Sequence, residues 1–354
     1  MYSQEDLNSA VAAGAISAEA ANALRAHVAA ERDAVPADAE HFRLITGFND
    51  IFVSIGVIIL LMAMGAIGDA IWSNNDGPSP VSGALVAATA WMLAEFFTAK
   101  RRMALPSILL LLGFVGGTFF GLLGLAVTIA GVNTGPGNEV LATLLVSLSG
   151  LLTAGAAYIH WKRFMVPITI AAGTAAIAGT VIALIVAVIG PRNPNMETII
   201  LSLVFVAGLV IFAFAMRWDM SDPRRETRRS DVAFWLHLLA APMIAHPVFA
   251  MIGVIDGDNI GVGAAVGVLA VYIAFGIVAL AVDRRALLVS ALAYVLFALT
   301  FLFREFGAVE LSFALTALVI GSALLTLSAL WTPIRRSVVK GLPTDMQARL
   351  PATA

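Results

Sequence analysis

The chain has 354 residues, is 60% hydrophobic and only 12% charged, carries a formal net charge of −2 and contains no cysteine. An ordinary soluble domain has about 25% charged residues, so this composition, with a mean hydropathy of +0.93, excludes a water-soluble globular core. The missing cysteine excludes disulfides, thiolate metal sites and thiol nucleophiles, and nothing in the charge balance points to nucleic acid as a partner.

Residues 1–40 are polar and alanine-rich instead of basic and then apolar, so no cleavable signal peptide is predicted and the N-terminus is expected to be retained. Ser3-Gln4-Glu5-Asp6 reads as a capping box opening a short helix, Gly14 ends it, and Ser17 caps a second helix running toward Glu31. Leu7, Val11, Ile16, Ala20, Leu24 and Val28 are spaced to pack the two together ahead of a linker containing Pro36. Two short helices are marginal alone. This cytoplasmic head is therefore either a module for docking a protein partner or for self-association, or a solvated hairpin leaning on neighbouring loops.

From residue 41 onward, apolar runs alternate with short polar breaks. A bilayer core is about 30 Å thick and a helix rises about 1.5 Å per residue. Ten runs are long enough to cross: Ile51–Trp72, Val81–Ala99, Leu105–Gly131, Val140–Ile159, Val166–Ile189, Thr198–Met216, Val232–Val254, Gly261–Val282, Ala286–Phe303 and Leu311–Leu330. The predicted fold class is all-α, a polytopic membrane helix bundle of ten transmembrane helices in residues 41–336, followed by a tail at 337–354. Basic residues gather in alternate breaks, at Lys100-Arg101-Arg102, Lys162-Arg163, Arg217 with Arg224-Arg225 and Arg228-Arg229, Arg284-Arg285, and Arg335-Arg336. Positive residues in short loops stay inside during insertion, so both termini are expected in the cytoplasm.

Arg102, Arg163, Arg224 and Arg285 sit 61 residues apart, and KRRMALP and WKRFMVP each place an Arg four residues before a Pro. That spacing reads either as a duplicated helical hairpin or as the length that two spans and two loops need in any case. The stretches FRLITGFNDIFVSIGV (42–57) and RRSDVAFWLHLLAAP (228–242), with the head pattern LNSAVAAGAISAEAANAL, resemble uncharacterised multi-pass inner-membrane proteins of bacteria. The resemblance implies a bacterial inner-membrane setting and transfers no functional residue. Span count alone also resembles ten-span drug/metabolite transporters, an analogy of architecture.

Gly113, Gly117 and Gly121 form a small-residue ridge on the third span, where the absence of Cβ atoms lets a neighbouring helix approach. The seventh span is the most polar and most broken, with Asp231, Trp235, His237, Pro242, His246 and Pro247. Each proline removes a backbone donor and frees a carbonyl. At about 100° per residue, Asp231, Trp235, Pro242, His246 and Phe249 share one face while His237 points elsewhere. His246, about 22 Å along the axis from Asp231, reads either as a neutral imidazole bonded to a free carbonyl of a neighbouring helix or as a ligand or proton group. His237 reads as structural. Glu95, one turn inside Lys100, is expected to pair with a base, Arg102 being one candidate, either snorkelling to the interface or handling a proton or cation. Arg224, Arg225, Arg228 and Arg229 are candidates for lipid-headgroup binding.

No HExxH, phosphate-binding glycine loop or pair of intramembrane aspartates is present, so an enzyme is disfavoured and no catalytic residue, metal site or cofactor is expected. Two readings of function stay open. One is translocation of a small molecule or lipid along the seventh span, with Glu95, Asp231 and His246 as its polar groups. The other is a non-transporting scaffold, sensor or assembly subunit docking a partner through residues 1–40. Membrane lipids are partners under either.

Overall fold

The computed structural model describes residues 10–24, 48–72, 77–131, 137–222, 227–253, 261–347 and 350, which are helices and their connections, with no strand among them. The chain divides into two units, one within Met1–Phe42 and one over Arg43–Thr353. In the first, residues 10–12 and 18–24 are helical. Gly14 takes φ +70°, a left-handed value that glycine adopts without steric cost, and its N–H reaches Val11 O at 3.0 Å. The Ser17 Oγ accepts from Ala20 N–H at 3.1 Å, the N-cap expected of it. The capping box at Ser3–Asp6, Leu7, Val28, Glu31 and Pro36 lie outside the described residues.

The second unit holds ten helices long and apolar enough to cross a membrane. They are α1 Phe48–Ile71, α2 Pro80–Phe97, α3 Ala104–Ala130, α4 Glu139–Phe164, α5 Ile168–Ile189, α6 Met196–Met220, α7 Arg228–Met251, α8 Val262–Val282, α9 Ala286–Glu305 and α10 Ser312–Ala329. Two further helices follow, α11 Trp331–Lys340 and α12 Thr344–Gln347. Large apolar side chains cover the outside: Phe52, Ile59, Met62, Val188, Phe297 and Leu325 are 62–87% exposed. Such a surface is costly in water and at home in hydrocarbon. The protein is an integral membrane protein, an all-α polytopic bundle.

Four helical hairpins, α2/α3, α4/α5, α6/α7 and α8/α9, pair successive helices, the first three by the closest packing in the bundle. All four turn at the end of the bundle that carries the arginine and lysine clusters, called the basic end below. Three of these turns contain a non-glycine residue in the left-handed region, Arg102 (φ 53°), Met165 (φ 54°) and Asp283 (φ 56°).

α7 is the central helix. More than half of its apolar window, 56%, is buried, against 11–33% for the other nine spans, and it packs on α5, α6 and α9. Val232, Leu236, Ala240 and Ile244 meet Ala171, Ile211 and Ala215 of α5 and α6. Ala245 and Phe249 meet α8 and α9 through Val268 and Val295. α7 continues as helix through Pro242 and Pro247.

The glycine ridge of α3 faces α2. A Cβ on Gly117 would stand 2.7 Å from Ala87 N and one on Gly121 3.1 Å from Ala84 N, so the two backbones are in contact. Gly83 on α2 faces Gly121 more tightly still. Gly113 instead receives Leu61 of α1, whose Cδ1 would lie 2.7 Å from an added Cβ. Hydroxyls tie other pairs: Ser147 Oγ donates to Thr180 O at 3.2 Å and Thr180 Oγ1 to Ser147 O at 3.3 Å, joining α4 to α5.

Three helix ends depart from the hydropathy runs by four or five residues, all at the basic end. α4 continues past Ile159 to Phe164, α6 past Met216 to Met220, and α7 begins at Arg228 instead of Val232. Hydropathy ends a span where polarity begins, whereas a helix ends where its backbone turns. These additional turns carry the polar groups described next.

Candidate functional site

The additional turn of α6 brings Asp219 against the interior. Its side chain is fully buried, as are those of His237 on α7 and Arg284 in the α8/α9 turn, at 3% and 4% exposure. Arg284 grips the carboxylate with two donors, Nη2 to Oδ1 at 2.6 Å and Nε to Oδ2 at 3.3 Å. Oδ2 also shares a 3.0 Å hydrogen bond with His237 Nε2. An ionised carboxylate only accepts, so Nε2 carries the proton and donates. Arg284 Nη2 further donates to Ser230 O at 3.1 Å, and its guanidinium sits over the Phe234 ring. Phe212 packs edge-on against His237. One carboxylate thus joins α6, the first turns of α7 and the α8/α9 turn.

Removing a charge from water costs several kcal/mol per ion even after relaxation, and only close, well-directed pairing offsets it. The bidentate Arg284–Asp219 contact supplies that pairing, and with a neutral imidazole the cluster carries no net charge. Chemically it can separate into two charged halves if the α8/α9 turn moves away from α6.

A second polar group lies behind it. Asp283 accepts from Trp331 Nε1 at 2.7 Å and stands 3.5 Å from Arg335 Nε, which donates to Leu280 O at 3.2 Å. Burial pushes the Arg335 guanidinium below its ordinary value, with Asp283 opposing the shift. Arg285 stacks over Trp331, 4.7 Å from the ring centroid. Trp331, the first residue of α11, is buried against α8 and α9.

The structure does not bring Glu95, Asp231 and His246 together. Glu95 pairs with Arg163 of the next hairpin, through Nε at 2.9 Å and Nη2 at 2.6 Å, and not with Arg102. α4 continues as helix to Phe164 and so presents Arg163 to α2, whereas Arg102 is turned into a left-handed conformation in the loop. The pair lies on the surface, with 54% and 35% of the side chains exposed. Asp231 is half-buried in the first turn of α7, next to Ser230, whose carbonyl accepts from Arg284. His246 is exposed, and its Nδ1 bonds the Tyr294 hydroxyl of α9 at 2.7 Å instead of a helix carbonyl. Tyr294 in turn stacks on Phe249. Arg228 and Arg229 are exposed at the start of α7, while Arg224 and Arg225 lie outside the described residues.

Sequence reasoning missed Asp219 and took Arg284 only as a topology signal. Asp219 falls three residues beyond the sixth apolar run, where a charged residue reads as loop. The available signal was its setting between Trp218 and Met220. His160 was passed over too. It is buried among Trp91, Phe114 and Phe164, with Nδ1 3.3 Å from Thr169 Oγ1 and Nε2 without a hydrogen-bond partner among the described residues.

Comparison of the chain with family models, with curated proteins and with solved structures finds no match.

Proposed function

We propose that this membrane protein translocates a small molecule or a lipid, with the pathway alongside α7 and the Asp219–His237–Arg284 cluster as the bar that holds its basic end shut. The basic end faces the cytoplasm of a bacterial cell under this reading, with both termini inside. The observation that carries it is a completely buried ion cluster at one end of the most buried, proline-bearing helix. Ionisable groups inside a membrane are expensive and mark pathways and relays. Apolar packing could tie α6, α7 and α9 together at less cost. A charged contact, unlike an apolar one, can be opened by water or by a proton, which alternating access requires.

The test is reconstitution of the full chain into liposomes containing NBD-labelled phosphatidylethanolamine, read by dithionite bleaching, together with ethidium efflux from cells expressing it. Acceleration of either probe, altered by Asp219→Asn or Arg284→Gln at equal protein incorporation, supports translocation. If neither probe moves while the protein is folded and inserted, the translocation reading is lost.

The second reading, a scaffold, draws on the close pairing of Asp219 with Arg284 and on the separation of Glu95, Asp231 and His246. It expects that deleting residues 1–40 abolishes a stable association with another protein. An unchanged set of partners after deletion would remove its support.

A further inference from the structure

α10 is the least buried of the ten spans, at 11%, and it packs chiefly on α9. Between these two helices, at the basic end, lies an open cleft of about 130 Å³. Its body is apolar, formed by Leu288 and Leu292 of α9 and Leu324 and Leu327 of α10, and its mouth is polar, formed by Arg285, Ser328 and Trp331. A bilayer leaves no such cleft empty, because helix packing in hydrocarbon is completed by lipid where side chains do not meet.

The polarity gradient selects the occupant. An apolar furrow that ends on a guanidinium at the membrane boundary matches a molecule with an acyl chain below and an anion above. The Arg285 guanidinium carbon lies over the Trp331 ring, 4.7 Å from its centroid. A guanidinium held on an aromatic ring is a common phosphate-recognising group, with its donors in a fork. The wall behind it has the composition of an interfacial helix: α11 turns Trp331, Arg335 and Val339 inward and exposes Arg336, Ser337 and Lys340. Those cations add an attraction for anionic lipid near the surface.

We propose that the α9/α10 cleft is a binding site for one anionic glycerophospholipid of the adjoining leaflet, its phosphate held at Arg285 and an acyl chain laid along Leu288, Leu292, Leu324 and Leu327. The site is separate from the ion cluster of α7 and does not depend on the translocation reading.

Trp331 at the mouth makes the site observable. The full chain is reconstituted in phosphatidylcholine vesicles doped with equal fractions of dibrominated phosphatidylglycerol or dibrominated phosphatidylcholine. The Trp331 contribution is the difference in fluorescence quenching between wild type and Trp331→Phe. Phosphatidylglycerol is expected to quench that contribution at severalfold lower mole fraction than phosphatidylcholine. Arg285→Gln is expected to erase the difference, and Lys162→Gln, remote from the cleft, to keep it. Excess inorganic phosphate is expected to leave the quenching unchanged; relief by phosphate would mean a free-anion site and overturn the lipid assignment. Equal quenching by the two lipids, or a preference that survives Arg285→Gln, would also overturn it. Should a variant fail to assemble, native mass spectrometry of the wild type decides alone: retention of one phosphatidylglycerol in preference to phosphatidylcholine supports the site, and equal retention overturns it.

Discussion

Removing one member of a buried ion pair is costlier than removing both, because the survivor keeps its charge and loses its partner. Arg284→Met should therefore destabilise the protein by about 3–5 kcal/mol, since Asp219 has no other guanidinium in its bidentate contact. Combining it with Asp219→Leu should recover more than half of that loss, read by thermal unfolding of both proteins in the same lipid mixture. A double variant no more stable than the single one would mean the cluster's worth lies elsewhere. Glu95→Gln tests the opposite extreme. Its pair with Arg163 is exposed to the surroundings, exposed pairs contribute little, and the same unfolding measurement should detect no change. That Glu95 needs a basic partner was legible from its depth alone. Which base it finds was not, because the pattern along a single helix displays only residues three, four or seven apart, and Arg163 arrives from a different hairpin.

Helix pairs are held by how closely their backbones approach. Gly83→Ala drives a methyl into the backbone at Gly121 and should cost about 1–3 kcal/mol as overpacking. Gly116→Ala, with nothing within 4 Å of the added carbon, should be neutral or stabilising by up to about 1 kcal/mol, the propensity difference between the two residues. Comparing the two variants by thermal unfolding separates a packing ridge from glycine that merely occurs there; equal effects would dismiss the ridge. The existence of ten spans and the ridge were readable because length, hydropathy and four-residue spacing are local properties. The closing turns of α4 and α6 were not, because polar residues such as Asp219 end a hydropathy run without ending a helix. The amphipathic α11 was hidden for a related reason. Its ten residues include Arg335, Arg336 and Lys340, which average out its apolar face.

For the molecule as a whole, the orientation can be measured in the chain as it stands. With no native cysteine, single cysteines report cleanly. Lys162→Cys and Lys340→Cys at the basic end should resist a membrane-impermeant maleimide on intact cells and label in inverted vesicles, and Glu310→Cys at the opposite end should do the reverse. The opposite pattern would invert the topology and place the ion cluster on the outer side. The hairpins closing at the basic end give the 61-residue spacing a physical setting, since Arg102 and Arg285 fall in connections between paired helices and Arg163 in the last turn of α4.

Asp283, Arg284 and Arg285 are consecutive, yet they face three ways. Asp283 accepts from Trp331, Arg284 reaches inward to Asp219, and Arg285 folds back over Trp331. This turn, its first residue held at φ 56°, contacts α11 on one side and the interior carboxylate on the other. Such linkage is reciprocal. If the turn moves as one piece, loosening α11 by Trp331→Ala is expected to loosen Arg284 on Asp219 as well, read as lower thermal stability beyond that of the same substitution in Arg284→Met.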